Sequence, residues 1–152
     1  MIKLVRTNSE NQDFIELLKL LDAYLEEKDG AEHPFYAQYN KLDLIKHVVV
    51  AYENEEPMGC GAIKEYEPGT IEVKRMFTSP QGRGKGIATQ VLSELEKWAA
   101  ELGFGRCILE TGKMQTEAIG LYHKNGYTRI PNYVPYAGVE NSLCFEKKVL
   151  NK

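Results

Sequence analysis

The stretch of sequence that decides the fold reads TSPQGRGKGIA, residues 78–88. It joins a β-prone run that ends at Thr78 to a helix that begins near Gly86. Three glycines within five residues allow positive φ angles and a close approach of the backbone to a ligand. Main-chain N–H groups, the electropositive end of the helix and the side chains of Arg83 and Lys85 all favour an anion there. The stretch therefore predicts a strand, a turn and a helix that bind a phosphate or pyrophosphate.

Two known phosphate-binding motifs do not fit this turn. A P-loop would need glycine at Ser79 and serine or threonine at Gly86. A dinucleotide-binding fingerprint that starts at Gly82 would need glycine at Ile87, and no parallel βαβ unit precedes it. A plain structural turn, with its basic side chains in solvent, stays open as the alternative.

The hydrophobic spacing on both sides of the turn predicts a mixed α/β chain. After the turn, apolar residues recur at helical spacing up to Gly103, which suits a left-handed helix end. Before the turn, three β-prone runs separated by turn residues predict an antiparallel meander. The order of elements predicts an α/β fold, an α+β mixed sheet with helices on its faces. The predicted strands are residues 2–5, 48–52, 58–64, 70–78, 107–109, 127–130 and 143–148, and the predicted helices are residues 14–26, 42–46, 87–102 and 117–125.

Length and composition limit the class of protein. The 152 residues fit one domain, residues 1–152, and the 43% hydrophobic and 27% charged fractions are typical of globular proteins. A formal net charge of -3 argues against a nucleic-acid partner. No apolar run reaches the roughly 18 residues of a membrane span, and charge begins at Lys3. We therefore expect neither a membrane segment nor a signal peptide, and a cytoplasmic location.

The cysteines predict neither a disulfide framework nor a metal site. Cys60, Cys107 and Cys144 are odd in number, lie far apart and include no C-x-x-C pair. We interpret them as small buried residues in the strands of a reduced protein.

Two motifs together resemble the GNAT superfamily of N-acetyltransferases. The first is Gln81-x-x-Gly84-x-Gly86 in the turn, preceded by residues 72–78, which are similar to that family's fourth strand. The second combines LET at residues 109–111 with Q-x-x-A-I-x-L-Y-x-K-x-G-Y at residues 115–127, and it resembles the family's fifth strand and following helix. The resemblance covers residues 48–130, over half of the chain.

The resemblance implies a central, mostly antiparallel sheet, flanked by helices, whose parallel fourth and fifth strands splay apart and admit the pantetheine arm of acetyl-CoA. The backbone of residues 76–78 would pair with that arm, and the amides of residues 83–88 would hold the pyrophosphate. Many relatives carry asparagine where this chain has Gln115. The side chain that would contact the arm there therefore departs from the family pattern. The residues assigned to the cosubstrate acetyl-CoA are Met76, Phe77, Thr78, Gln81, Gly82, Arg83, Gly84, Lys85, Gly86, Ile87, Ala88 and Gln115.

The resemblance also suggests a general acid. Tyr122 falls where the family has a tyrosine near the cofactor sulfur. A phenol, with an ordinary pKa of about 10, can donate a proton or a hydrogen bond to a departing thiolate at neutral pH. The alternative for this helix tyrosine is an ordinary place in the core.

Glu72 is the candidate general base, because the matching strand of the family often carries a glutamate that acts directly or through water. The sequence leaves its side of the strand ambiguous. Ile71, Val73 and Phe77 predict one apolar face, but Met76 breaks the alternation. A solvent-facing glutamate paired with a basic residue at position 74 or 75 is the alternative.

The acceptor pocket is predicted opposite the cofactor, between the first helices and the loop between the strands predicted at residues 127–130 and 143–148. We call this segment the late loop. Tyrosines suit such a pocket because they offer an apolar face and a polar tip. Glu65 and Glu67 either attract a cationic amine or belong to a solvated loop. The candidate lining residues, which core or homodimer contacts would explain equally well, are Phe35, Tyr36, Tyr39, Tyr133 and Tyr136.

We therefore expect an acetyl-CoA-dependent N-acetyltransferase that acts on a primary amine of a small molecule or peptide by direct attack in a ternary complex. A non-catalytic regulatory module that binds acetyl-CoA is the alternative from another class. Nucleic-acid binding through Arg83 and Lys85 is a third, disfavoured by the acidic balance of the chain. The sequence leaves a homodimer open.

Overall fold

The computed structural model describes residues 1–29 and 45–149. The aromatic stretch at residues 33–39 and most of the helix predicted at residues 42–46 lie outside these ranges. Within the described ranges, seven strands form one sheet in the order β1-β2-β3-β4-β5-β7-β6. The strands are β1 (Ile2–Thr7), β2 (His47–Glu53), β3 (Glu56–Glu67), β4 (Thr70–Thr78), β5 (Arg106–Gly112), β6 (Thr128–Ile130) and β7 (Ser142–Lys148).

The central feature of the sheet is its single parallel pair among the described strands. Neighbouring strands are antiparallel except β4 and β5. The parallel pairing covers three residues of each strand and ends at Glu72 and Ile108. Beyond that point β4 continues to Thr78 beside β3, whereas β5 continues to Gly112 beside β7. The two strands therefore splay apart, which confirms the predicted mixed sheet and its gap.

A two-residue turn joins β2 to β3. Asn54 and Glu55 have φ angles of 52° and 67°, and a left-handed conformation at both central residues matches the twist of a tight hairpin. The connection is shorter than the predicted residues 53–57, and Pro57 lies within β3. Pro57 sits beside a register shift in β2, the kind of irregularity at which a sheet tolerates proline.

Helix α1 (Gln12–Asp29) covers one face of the sheet. It begins after Asn11, whose Oδ1 accepts a hydrogen bond from the main-chain N–H of Phe14 at 2.9 Å. This contact satisfies one of the donors that a helix leaves free at its N-terminus. The buried residues of α1, which pack with Val48 and Val50 of β2, are Phe14, Leu17, Leu18 and Leu21.

Helices α2 (Ile87–Glu101) and α3 (Thr116–Lys124) cover the opposite face, where Val49 and Ala51 of β2 point. Helix α2 ends before Gly103, whose φ of 94° confirms the predicted left-handed helix end. Each large aliphatic side chain that is fully buried contributes about 1.5–3 kcal/mol. The buried stripe of α2 consists of Ile87, Val91, Leu92, Leu95 and Ala99.

No helix of the described part of the chain is long and apolar enough to span a membrane.

A β-bulge at Arg75 interrupts β4. Arg75 has a φ of 60°, and the register with β3 shifts opposite it. Ile71 and Val73 pack on the α2 side of the sheet; after the bulge Met76 also does so, whereas Phe77 packs on the α1 side. The predicted apolar face that joined Phe77 to Ile71 and Val73 is therefore wrong, because the extra residue reverses the alternation.

Candidate active site

The glycine-rich turn leads from β4 into α2 through a 3-10 helix, Pro80–Gly82. Gly84 and Gly86 then have φ angles of 79° and 75°, which residues with a side chain rarely adopt. A Cβ built on either glycine meets nothing within 4 Å, so the main chain borders open space there. Because α2 begins directly after Gly86, its first N–H groups, which have no partner inside the helix, lie at the same place.

A cavity of about 390 Å³ lies over this turn. Its walls come from α1, the end of β4, the turn, the start of α2, and α3. Gln81 and Lys85 are the two residues assigned to acetyl-CoA that do not line it. The assigned residues that line it are Met76, Phe77, Thr78, Gly82, Arg83, Gly84, Gly86, Ile87, Ala88 and Gln115.

The two basic side chains of the turn point to different places. Arg83 lines the cavity, and its Nε donates a hydrogen bond to the carbonyl oxygen of Thr78 at 3.4 Å. The Nζ of Lys85 lies 2.6 Å from Oε1 of Glu53 in β2. Gln81 is exposed on the 3-10 helix. The side chain of Lys85 thus links the turn to β2. Lys85 can contribute to an anion site in the turn through its main-chain N–H.

Helices α1, α2 and α3 each add lining residues that the sequence prediction missed. Ala118 and Leu121 follow Gln115 on one face of α3, so the helical period applied to the second motif would have found them. Leu21 and Tyr24 reach the cavity from α1, which no motif connects with the turn. The missed lining residues are Leu21, Tyr24, Thr89, Glu117, Ala118, Leu121 and Lys124.

A second cavity, of about 90 Å³, adjoins the first beside α1. Residues 72–76 of β4 and residues 110–112 of β5 form two of its walls, and Tyr136 of the loop between β6 and β7 forms another. The two cavities meet in the gap between the splayed strands. The residues that line both are Leu21, Met76, Gln115 and Tyr122.

Tyr122 lies on α3 and is 6% exposed. Its ring packs against the rings of Tyr127 and Phe145, with centroids 5.8 and 6.1 Å away. Burial raises the pKa of the Tyr122 hydroxyl above its ordinary value, and the nearby charge of Glu110 raises it further. The hydroxyl therefore stays protonated at neutral pH and can act as a donor. The core position and the cavity position, predicted as alternatives, coincide in this residue.

Glu72 lies at the smaller cavity with a side chain that is 13% exposed. The hydroxyl of Tyr133 donates a hydrogen bond to its Oε2 at 2.8 Å, and the Nζ of Lys74 lies 3.7 Å from its Oε1. The predicted pairing with a basic neighbour exists, but the solvent-facing position predicted with it is wrong. The late loop folds over this end of β4 and encloses the carboxylate.

The aromatic residues predicted around the acceptor are distributed unevenly. Tyr136 lines the smaller cavity, and Tyr133 reaches it through Glu72. The other three predicted aromatic residues, at positions 35, 36 and 39, lie outside the described residues. Glu65 and Glu67 are exposed and line neither cavity, as the solvated alternative predicts.

Comparison with protein families identifies this arrangement. Residues 14–127 match the model of the Acetyltransferase (GNAT) family. The chain belongs to the GNAT acetyltransferase family. It is accordingly an enzyme, and the acyl donor of its family is an acyl-CoA.

Relatives of this acetyltransferase cover its whole described fold. It is 33% identical over 150 residues to a protein of Azospirillum brasilense named IAA acetyltransferase, which covers 96% of this chain and 97% of the relative. A solved structure from Klebsiella pneumoniae, assigned as an acyl-CoA N-acyltransferase, is 30% identical, covers 99% of both chains and has a TM-score of 0.83. A GNAT acetyltransferase of Elizabethkingia anophelis, solved with acetyl-CoA bound, shares the fold at 18% identity and a TM-score of 0.70 over 97% of both chains.

The residues at the larger cavity of this acetyltransferase fit an acyl-CoA. The edge of β4 at residues 76–78 that faces the gap has no strand partner in the described part of the chain, because β5 has diverged. Open space at Gly84 and Gly86 beside the start of α2 suits a diphosphate. Arg83 and Lys124 add positive charge to the cavity wall. Among the described residues, no group of three or more His, Cys, Asp or Glu side chains could hold a metal ion.

Proposed function

We propose that this acetyltransferase transfers the acetyl group of acetyl-CoA to a primary amine of a small molecule or peptide, by direct attack in a ternary complex. The observation that supports this proposal is the meeting of two cavities at Tyr122. The larger cavity offers the backbone donors and positive charge that suit the donor molecule. The smaller cavity would hold the amine beside the thioester.

The main chain would hold the donor in this proposal. Residues 76–78 would pair with the pantetheine arm along the open edge of β4, and the amides of residues 83–88 would bind the diphosphate. Gln115, at the start of α3, would contact the arm near both cavities. Holding two reactants in line contributes up to about 7–11 kcal/mol in well-aligned systems. Positioning by these residues is therefore expected to supply most of the rate.

Tyr122 and Glu72 would handle the protons. The N–C bond forms as the C–S bond breaks, the amine loses one proton, and CoA leaves as a thiol. Tyr122 would donate its hydroxyl hydrogen to the sulfur as negative charge develops there. Glu72, whose carboxylate is oriented by Tyr133, would accept the amine proton directly or through a water molecule.

The cysteines favour direct attack over an acyl-cysteine intermediate. Cys60, Cys107 and Cys144 are free and buried, and none of them lines either cavity. Burial raises the pKa of Cys60 and Cys107 to about 12 and the pKa of Cys144 to about 11. Each thiol therefore carries little of the nucleophilic thiolate at neutral pH.

Release of free thiol from acetyl-CoA in the presence of a panel of amines tests the proposal. Tyr122→Phe should lower kcat by about a hundredfold, the lower range for loss of one acid catalyst, and leave the Kd of CoA within about twofold. Tyr127→Phe is the matched control, because Tyr127 is equally buried but lines neither cavity.

The outcome that removes Tyr122 from its role is an equal kcat for the wild type, Tyr122→Phe and Tyr127→Phe. Tight CoA binding without thiol release for any amine would contradict the transfer reaction itself. Thermal unfolding of each variant, with and without CoA, separates loss of chemistry from loss of fold.

A further inference from the structure

The smaller cavity carries charges of both signs in a small space. Glu72 and Glu110 line it from β4 and β5, and Lys74 and Arg75 line it from β4. Its volume of about 90 Å³ compares with the roughly 10–15 Å³ that one water needs on the same measure. The cavity is thus several times larger than the space that one water needs. This size suits a small molecule.

The carboxylates mark the place of the amine. Glu110 and Tyr122 line the same cavity, and the charge of Glu110 contributes to the raised pKa of the Tyr122 hydroxyl. Glu72 lies on the neighbouring strand β4. It pairs with Ile108, which precedes Glu110 by two residues in β5. An ammonium group between these carboxylates would be held beside Tyr122 before it loses its proton.

Arg75 carries the complementary charge, and its hydrogen bonding is incomplete. Its side chain is 2% exposed, and its Nη2 donates to Oδ1 of Asp22 at 2.6 Å. Its Nε and Nη1 are buried and have no hydrogen-bond partner among the described residues. Buried donors of a guanidinium are almost always paired, and leaving them unpaired destabilises the protein. The β-bulge at Arg75 brings this guanidinium beneath α1, at the wall of the cavity.

We propose that the acceptor is a small amino acid whose amino group lies beside Glu72 and Glu110 and whose carboxylate binds the guanidinium of Arg75. This inference rests on the proposed function and narrows its acceptor class. A carboxylate has the two oxygens that a guanidinium fork matches. Asp22, with a side chain that is 55% exposed, is the partner that a substrate carboxylate would supplement.

Paired acceptors test the inference on the complete enzyme with acetyl-CoA. Each amino acid is compared with its amide, which keeps the size and the amine but lacks the negative charge. The best amino acid should exceed its amide in kcat/KM by about tenfold to a hundredfold, the range for a hydrogen bond to a charged group. The amino group of the amide is less basic than that of the free amino acid, so it is more often neutral and able to attack. Basicity alone therefore predicts faster turnover of the amide.

Two variants locate the preference at Arg75. Arg75→Gln should bring the ratio of the two kcat/KM values close to one. Asp22→Asn, at a half-exposed position, should fold normally and raise the ratio, because it frees the guanidinium for the substrate. Asp13→Asn is the matched control on α1; its carboxylate accepts a hydrogen bond from Tyr52 at 2.6 Å, and the wild-type ratio should persist. The ratio is measured within each variant, so differences in stability cancel.

Each result has one meaning. Equal turnover of amino acids and amides by the wild type would overturn the inference and leave the proposed function intact. A ratio unchanged in both Arg75→Gln and Asp22→Asn would make the ion pair a structural one and also overturn the inference. No thiol release with any amine would overturn the proposed function, and this inference with it.

Discussion

Replacement of Gly84 by alanine tests the turn on which the assignment of the larger cavity depends. Gly84 has a φ of 79°, and a Cβ built there meets nothing within 4 Å. The substitution therefore introduces backbone strain without a steric clash. Strain of this kind amounts to about 1–2 kcal/mol for a residue with a Cβ. Gly69, between β3 and β4, has a φ of 82° and equally open surroundings, so Gly69→Ala is the matched control.

The strain must appear in one of two measurements. If the turn keeps its conformation, the free energy of unfolding falls by about 1–2 kcal/mol and the affinity for CoA is unchanged. If the turn relaxes in the free protein, the ligand must restore the conformation, and 1–2 kcal/mol corresponds to a rise in Kd of about 5–30-fold. We expect relaxation, because an added Cβ at Gly84 meets no atom within 4 Å that would hold the strained conformation.

Calorimetry with CoA measures the Kd, and urea unfolding measures the stability. Gly84→Ala should raise the Kd by about 5–30-fold, whereas Gly69→Ala should leave it within about twofold. Gly84→Asn should recover part of the affinity, because asparagine tolerates the left-handed region better than alanine.

An unchanged Kd in Gly84→Ala would refute the reasoning that links this turn to the diphosphate through relaxation. If the Kd and the free energy of unfolding are both unchanged in this variant, the strain itself is refuted. Equal losses of affinity in Gly84→Ala and Gly69→Ala would show that the effect spreads through the fold and does not come from the turn.

Two further predictions concern the packing of the sheet. A Cβ on Gly61 would lie 2.5 Å from Sδ of Met76 and 2.8 Å from Cδ1 of Leu95, so Gly61→Ala should lower the free energy of unfolding by about 1–3 kcal/mol; an unchanged urea midpoint would contradict this contact. Burial raises the pKa of Cys60 and Cys107 to about 12, and the reactive thiolate predominates only above the pKa. Ellman's reagent at pH 8 should therefore react slowly with the folded protein, whereas in denaturant it should react with all three thiols. Fast reaction in native buffer would disprove the burial of the cysteines.

Local sequence was enough wherever the signal lies within a few residues. The helix after the turn follows from the spacing of its apolar residues, and its left-handed end at Gly103 follows from the residue type. Position within the second motif likewise brought Gln115 and Tyr122 together, since Gln115 immediately precedes α3 and Tyr122 lies within it. The structure has both residues lining the two cavities.

The bulge in β4 could not be predicted from the strand alone. Its alternation is broken at Met76, but the sequence does not say which residues change sides, because that depends on the register with β3. Arg75 consequently read as a surface partner for Glu72, whereas it is buried and bonds Asp22. Glu110 belongs to the LET motif at residues 109–111, but no local pattern indicates that it lines the smaller cavity.

The sequence by itself determined the family, the mixed sheet with its splayed parallel strands, and the place of Tyr122 on the helix that follows β5. Only the tertiary structure decided which charges meet around the smaller cavity. Arg75 and Asp22 are 53 positions apart, and Tyr133 and Glu72 are 61 positions apart. Such pairs leave no local signature, because their interaction depends on the distance between atoms that only the packing of α1 and the late loop against the sheet establishes.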